Sequence, residues 1–160
     1  MIVILEGLVM SFILLLVCVI GIRNGAAGLV TFYEKDVQER VVELGLTTKE
    51  KIKRSTILSG VAIFVPTLFL VPYMVYGING VSTFKDGFIQ MFAIYMIMNL
   101  FDRLFIDWFW VGHTKAWEIE GTEDLKPYIP KRTLIRKWVS TLIVFPLLAL
   151  GIAYLMTIFI

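Results

Sequence analysis

Between Asn99 and Thr114, six polar side chains interrupt an apolar and aromatic run: Asn99, Asp102, Arg103, Asp107, His113 and Thr114. At about 100° per residue they share one arc of about 140° on a helix, and Leu100, Phe101, Leu104, Phe105 and Trp108 fill the remainder. Towards the start of the helix the same arc continues as Phe92, Tyr95 and Met96. Such a face can hold a polar solute or an ion. It can also exchange protons: a carboxylate serves as acid or base, a guanidinium holds an anionic head, and an imidazole carries a second proton.

Depth sharpens this. Measured from Gly87 at about 1.5 Å per residue, Asn99 lies roughly 18 Å and Asp102 roughly 22 Å into an apolar layer about 30 Å thick, with Asp107 at its far boundary. A charge near the centre of that layer costs about 2.5–3.5 kcal/mol to insert. Arg103 and Asp107 stand at i, i+4 and can neutralise each other. Asp102 has Met98 and Ile106 at that spacing, so it needs a partner on another helix, a hydrated pocket or a proton. The expected binding site is a pocket lined by Asn99, Asp102, Arg103 and Asp107, with His113 at its mouth. The plainer alternative is a buried Asp102–Arg103–Asp107 network that fixes the helices and binds nothing.

Other chemistry is weakly supported. Glu118, Glu120, Glu123 and Asp124 lie near His113, but no histidine, carboxylate or cysteine spacing of a metal site is present, so no metal and no cofactor are expected. There is no phosphate-cradling glycine loop, nucleophile constellation or dinucleotide fingerprint. Glu6 reads as a carboxylate at headgroup level and Cys18 as a packing residue. Trp108, Trp110, Trp117 and Trp138 read as an aromatic belt.

The elements that must carry these residues follow from composition. Of 160 residues, 58% are hydrophobic, and the mean hydropathy is +0.82, which excludes a soluble globular domain. A net charge of +2 gives no field for nucleic acid, and a lone cysteine excludes a disulfide scaffold. Four apolar runs approach the roughly 20 residues that cross a bilayer: 3–22, 56–77, 87–109 and 138–160. Backbone groups in lipid must be satisfied within the segment, so the runs are helices. The first lacks a basic leader and a cleavage site, and reads as a retained span. The expected fold is all-α: one integral membrane four-helix bundle.

Arg23, Lys35, Arg40, Lys49, Lys51, Lys53 and Arg54 crowd the segment 23–55, and Lys115, Lys126, Lys131, Arg132, Arg136 and Lys137 the segment 110–137. The positive-inside rule places both segments in the cytoplasm and both termini outside a cell membrane crossed several times. The polar pocket then faces the cytoplasm.

Val37, Val41 and Leu44 recur at i, i+4, i+7, which predicts a short amphipathic helix at the membrane interface, ended by Gly45 as a left-handed cap. Thr47-Thr48-Lys49-Glu50 and Thr83-Phe84-Lys85-Asp86 read as capping boxes that open the second and third spans. Asn79-Gly80 and Glu120-Gly121-Thr122 read as turns. Pro66, Pro72 and Pro146 fall inside spans, where neighbours must re-satisfy the freed carbonyls.

Through Gly21-Ile22-Arg23-Asn24-Gly25-Ala26, Val37-Gln38-Glu39-Arg40, Gly45-Leu46-Thr47 and Asp107-Trp108-Phe109-Trp110-Val111-Gly112-His113-Thr114, the chain resembles small bacterial four-span integral membrane proteins of no known activity. A lesser likeness is to the membrane-associated eicosanoid and glutathione metabolism family. Glu39, Arg40, Val41 and Glu50 match that family's spacing, but Glu43 and Thr47 stand where its arginine and asparagine would hold glutathione. The expected function is binding or transport of a small solute or ion, with membrane lipids as partners and a homo-oligomer or larger membrane complex left open. Alternatives are an enzyme acting on a lipid-like substrate at the inner interface, and a structural or regulatory subunit.

Overall fold

The computed structural model describes residues 1–159, and these are all-helical, without a strand. The expected end of the fourth span at Ile160 lies outside the described residues. Four helices are long and apolar enough to cross a membrane: α1 (Ile2–Ile22), α3 (Lys49–Ile78), α4 (Phe84–Val111) and α5 (Lys131–Phe159). Between the first two lies the short helix α2 (Lys35–Glu43). At about 1.5 Å per residue α1 is about 31 Å long, the apolar thickness of a bilayer. The other three long helices have 28 to 30 residues. They overrun the expected apolar stretches because basic and aromatic residues continue the helix beyond the apolar core.

The caps follow the sequence with one shift. Thr83 accepts from the Asp86 N–H at 3.1 Å, and its hydroxyl donates to the Asp86 carboxylate at 2.8 Å. At the start of α3 the cap is Thr48, which accepts from the Lys51 N–H at 3.3 Å. Thr47, expected in that role, is instead buried, and the reciprocal bond from Glu50 is not made. After α2, Leu46 N–H reaches Val41 O at 3.1 Å and Gly45 N–H reaches Val42 O at 3.0 Å. This double closure needs the φ of +71° that Gly45 supplies.

The first and third long helices pack most closely, and α4 lies between α1 and α5. Gly7 permits the first contact, since a Cβ there would fall 2.7 Å from the Ile97 Cβ. A fully buried apolar layer of Val71, Val75, Met91, Ile94, Tyr95, Ala149 and Ala153 fills the half nearer the termini. Proline is accommodated there as expected. Pro72 has no N–H, and the Val71 N–H is already given to Pro66 O. The Thr67 carbonyl is therefore left without a helical donor, and the Tyr95 hydroxyl donates to it at 2.8 Å.

The opposite end is a folded cap. Residues 26–32 turn back on α1 and α3. Val37 and Val41 bury the apolar face of α2 against Tyr33, Trp117 and Tyr128. Leu44 is largely exposed, beside Gly121, because α2 ends before its third turn. The expected interfacial helix is thus packed into the cap. Trp117 is likewise a cap-core residue, T-stacked on Trp110 at 5.3 Å, whereas Trp108 faces outward. Arg40 joins α2 to the second loop through Asp124 at 3.2 Å and the Gly121 carbonyl at 3.2 Å. Glu34 accepts from the Thr133 hydroxyl at the start of α5. Tyr33 donates to the Trp117 carbonyl at 2.5 Å.

Candidate functional site

The polar stripe sits where the cap meets the long helices. Cys18, near the end of α1, belongs to the same buried cluster as Ile106, which puts the neighbouring Asp107 level with the last turns of α1. From Asp102 to Val111 the helix widens into i→i+5 hydrogen bonding, as it also does over Pro66–Leu70, Tyr73–Ile78 and Ser140–Val144. Arg103 and Asp107 are both about 95% buried, and Arg103 Nη1 lies 2.9 Å from Asp107 Oδ2. The guanidinium N–H is not directed along this contact, and Arg103 Nε, Arg103 Nη1 and Asp107 Oδ2 make no hydrogen bond.

Asp102 is not the isolated carboxylate that helical spacing implied. It pairs with the adjacent Arg103, because the long arginine side chain curls back across the wide turn. Asp107 has a further partner from another helix, Lys137 Nζ of α5 at 2.5 Å from Oδ1. Two carboxylates and two cations therefore balance. Asn99 completes the stripe: its amide donates to the Tyr95 carbonyl at 2.9 Å. The Thr141 hydroxyl lies 3.2 Å from Asn99 Oδ1 and 3.1 Å from the Lys137 carbonyl, so its single proton serves one of them at a time.

Two adjoining cavities open on this cluster. One of about 190 Å³ is lined by Asp102, Asp107 and Lys137 together with Cys18, Tyr33 and Trp117. The other, of about 170 Å³, reaches Asn99 and Arg103. Leu14, Ile63, Asp102 and Lys137 line both. They exist because α3 meets α4 chiefly through Tyr73–Ile78, and nearer the cap leans on α1 and residues 26–32. That leaves a gap between Ile63 of α3 and Lys137 of α5. The buried Trp117 Nε1 in the wall donates to nothing.

His113 lies apart from the charged cluster. It is exposed, with Nδ1 2.6 Å from the Trp108 carbonyl and its ring 4.8 Å from the Trp108 ring. It borders a separate cleft of about 700 Å³ with Lys115, Glu118 and Lys126, joined to the first cavity only through shared walls such as Asp107 and Tyr128. Of the loop carboxylates, Glu118 pairs with Lys126 at 2.6 Å and Asp124 with Arg40. The Lys126 hydrogen bond holds the Glu118 carboxyl below its ordinary range and raises the Lys126 ammonium above its own. Burial pushes the Tyr33 phenol well above its ordinary range.

Sequence reasoning passed over Lys137 and Thr141, which stood out only as two polar residues at i, i+4 where a charge-free span begins. It also placed Glu6 at headgroup level. Glu6 is 94% buried and accepts from the Asn79 amide at 3.1 Å, which also donates to Gln90 Oε1 at 2.9 Å. Glu39, Arg40 and Val41 lie on α2 and Glu50 on α3, separated by the turn at Gly45. No protein-family model, curated protein or solved structure matches the chain.

Proposed function

We propose that this chain is a multi-pass membrane protein that binds an amphiphilic, lipid-like molecule in the cleft between α3 and α5. Its head would meet Asp102 and Lys137, and its apolar part would lie along Leu14, Ile63 and Ile106. The observation that carries the reading is a charge-balanced polar floor under apolar walls, at the level where α1 ends and beside a gap between two helices. The closed layer around Tyr95 supports binding over conduction of an ion or solute to the far side. Asp102 is the carboxylate that meets the head, since it is 20% exposed and holds one partner, while Asp107 is held by two cations. In this reading the loops 23–55 and 110–137 face the cytoplasm and both termini face outside.

The test uses a variant in which Trp108, Trp110 and Trp138 are phenylalanine, so that Trp117 alone reports from the cavity wall. Brominated-chain phosphatidylethanolamine in mixed micelles is expected to quench Trp117, and Ile63→Phe, which fills the gap, to abolish that quenching. Trp117 fluorescence that stays unquenched in excess brominated lipid, or is quenched equally after Ile63→Phe, overturns the reading and leaves the cluster as interhelical bonding alone.

A further inference from the structure

A second groove runs along the outside of α1 and α3, away from the charged cleft. It measures about 510 Å³, and its walls are Ile13, Leu16, Val17 and Ile20 on α1 and Leu58 and Ala62 on α3. Its end nearest the cap is floored by Gly21 and Gly28, where the backbone folds so closely that a Cβ on Gly28 would lie 2.2 Å from the Gly21 carbonyl oxygen. The hydroxyls on its α3 wall are satisfied internally: Ser55 donates to Gly28 O at 2.8 Å and Ser59 to Ser55 O at 2.7 Å.

Lys51 and Arg54 line the same end. No carboxylate lines the groove, and among the described residues neither cation is within ion-pair distance of one. Lys51 stands in the first turn of α3, where the helix dipole adds positive potential, and Arg54 follows one turn on. The groove thus carries two unbalanced cations, in contrast to the neutral cluster beneath the other cleft. From Lys51 to Ala62 it extends about 17 Å along the helix, close to half of an apolar layer about 30 Å thick. That is the reach of one acyl chain in one leaflet, with the positive end at headgroup level.

From this match of length, apolarity and charge, we infer that the groove holds an anionic phospholipid, with its phosphate between Lys51 and Arg54 and one chain between α1 and α3. The site is independent of the cleft between α3 and α5.

Native mass spectrometry of the full chain from detergent, titrated with dioleoyl phosphatidylglycerol or dioleoyl phosphatidylcholine, reads it directly. Preference for the anionic lipid is expected to be roughly thirtyfold, the scale of two basic side chains at a headgroup. The pair Lys51→Gln and Arg54→Gln should abolish it, and Leu58→Trp should weaken it by filling the groove. The pair Lys131→Gln and Arg132→Gln, exposed outside the groove, should leave it intact. So should Ile63→Phe, which separates a failure here from a failure at the other cleft. Equal binding of the two lipids overturns the proposal. So does equal loss in the Lys131/Arg132 pair, which would mean diffuse surface charge. Glycerol phosphate binding as well as the whole lipid would mean that the groove plays no part.

Discussion

Neutralising Asp107 should cost more than neutralising Asp102, and the loss should be recoverable by removing a cation rather than by restoring an anion. Asp107 is 4% exposed in its side chain and touches two cations, Lys137 Nζ at 2.5 Å and Arg103 Nη1 at 2.9 Å. Removing one partner from a buried ion pair costs about 3–5 kcal/mol, most of it the penalty for the charge left behind. Lys137 is 34% exposed and recovers part of its hydration, so the lower end, about 3 kcal/mol, is the expectation for Asp107→Asn. Asp102 is five times more exposed and touches Arg103 alone, and Arg103 keeps Asp107 when Asp102 is lost, so Asp102→Asn should cost about 1 kcal/mol. Combining Asp107→Asn with Lys137→Met leaves Asp102 and Arg103 as a balanced pair. The double variant should then be more stable than Asp107→Asn alone by about 2 kcal/mol, and the coupling between the two sites is that gain plus whatever Lys137→Met costs by itself. Reversible unfolding in mixed micelles by SDS titration measures all three. If Asp107→Asn costs no more than Asp102→Asn, or if the double variant loses the sum of its singles, the cluster is not held by charge balance and the reasoning fails.

Four further outcomes are expected. Tyr95→Phe leaves the Thr67 carbonyl unpaired inside the apolar layer and should cost about 1–3 kcal/mol in the same unfolding assay; no loss would mean that another donor reaches it. Tyr33 has its ionisation raised by burial, so its contribution to cap stability is present below its ordinary value of about 10 and lost as pH rises beyond it. Phenolate absorbance should therefore show one late-ionising tyrosine that vanishes in Tyr33→Phe. With Glu118 the sign reverses: its carboxyl is lowered, so the Lys126 contact persists above about pH 4 and is lost as pH falls through its lower folded value, which Glu118→Gln should erase. Cysteine labelling in intact cells should modify Ser82→Cys from outside and spare Thr48→Cys; the reverse pattern would invert the topology.

Much of the architecture was legible in the sequence because it is set by neighbours along the chain. Apolar runs of sufficient length must be helices wherever water is excluded, and the four long helices fall where hydropathy placed them. Local chemistry fixed the Thr83 cap, the left-handed closures at Gly45, Gly80 and Gly121, and the Arg103–Asp107 pair one turn apart. The starts of α3 and α4 were legible from their threonine caps, but hydropathy did not reveal where α4 ends or where α5 begins, because helix continues past the apolar residues into flanking basic and aromatic ones.

What only the tertiary structure decided are contacts between residues far apart in sequence. Lys137 meets Asp107 from thirty positions away, Arg40 meets Asp124 across eighty-four and Glu34 meets Thr133 across ninety-nine. These fold two basic loops, legible in the sequence as flanking charge, one short amphipathic helix and isolated turns, into one cap. A long-range contact also moved Glu6 from a surface position into a buried amide network, whereas Asp102, expected as an orphan, pairs with its own chain neighbour Arg103. A sequence period reports which side chains share a face of one helix. Which charges neutralise each other depends on where the other helices stand, and here that depends on α3 leaning away from α4 and leaving room for a cleft.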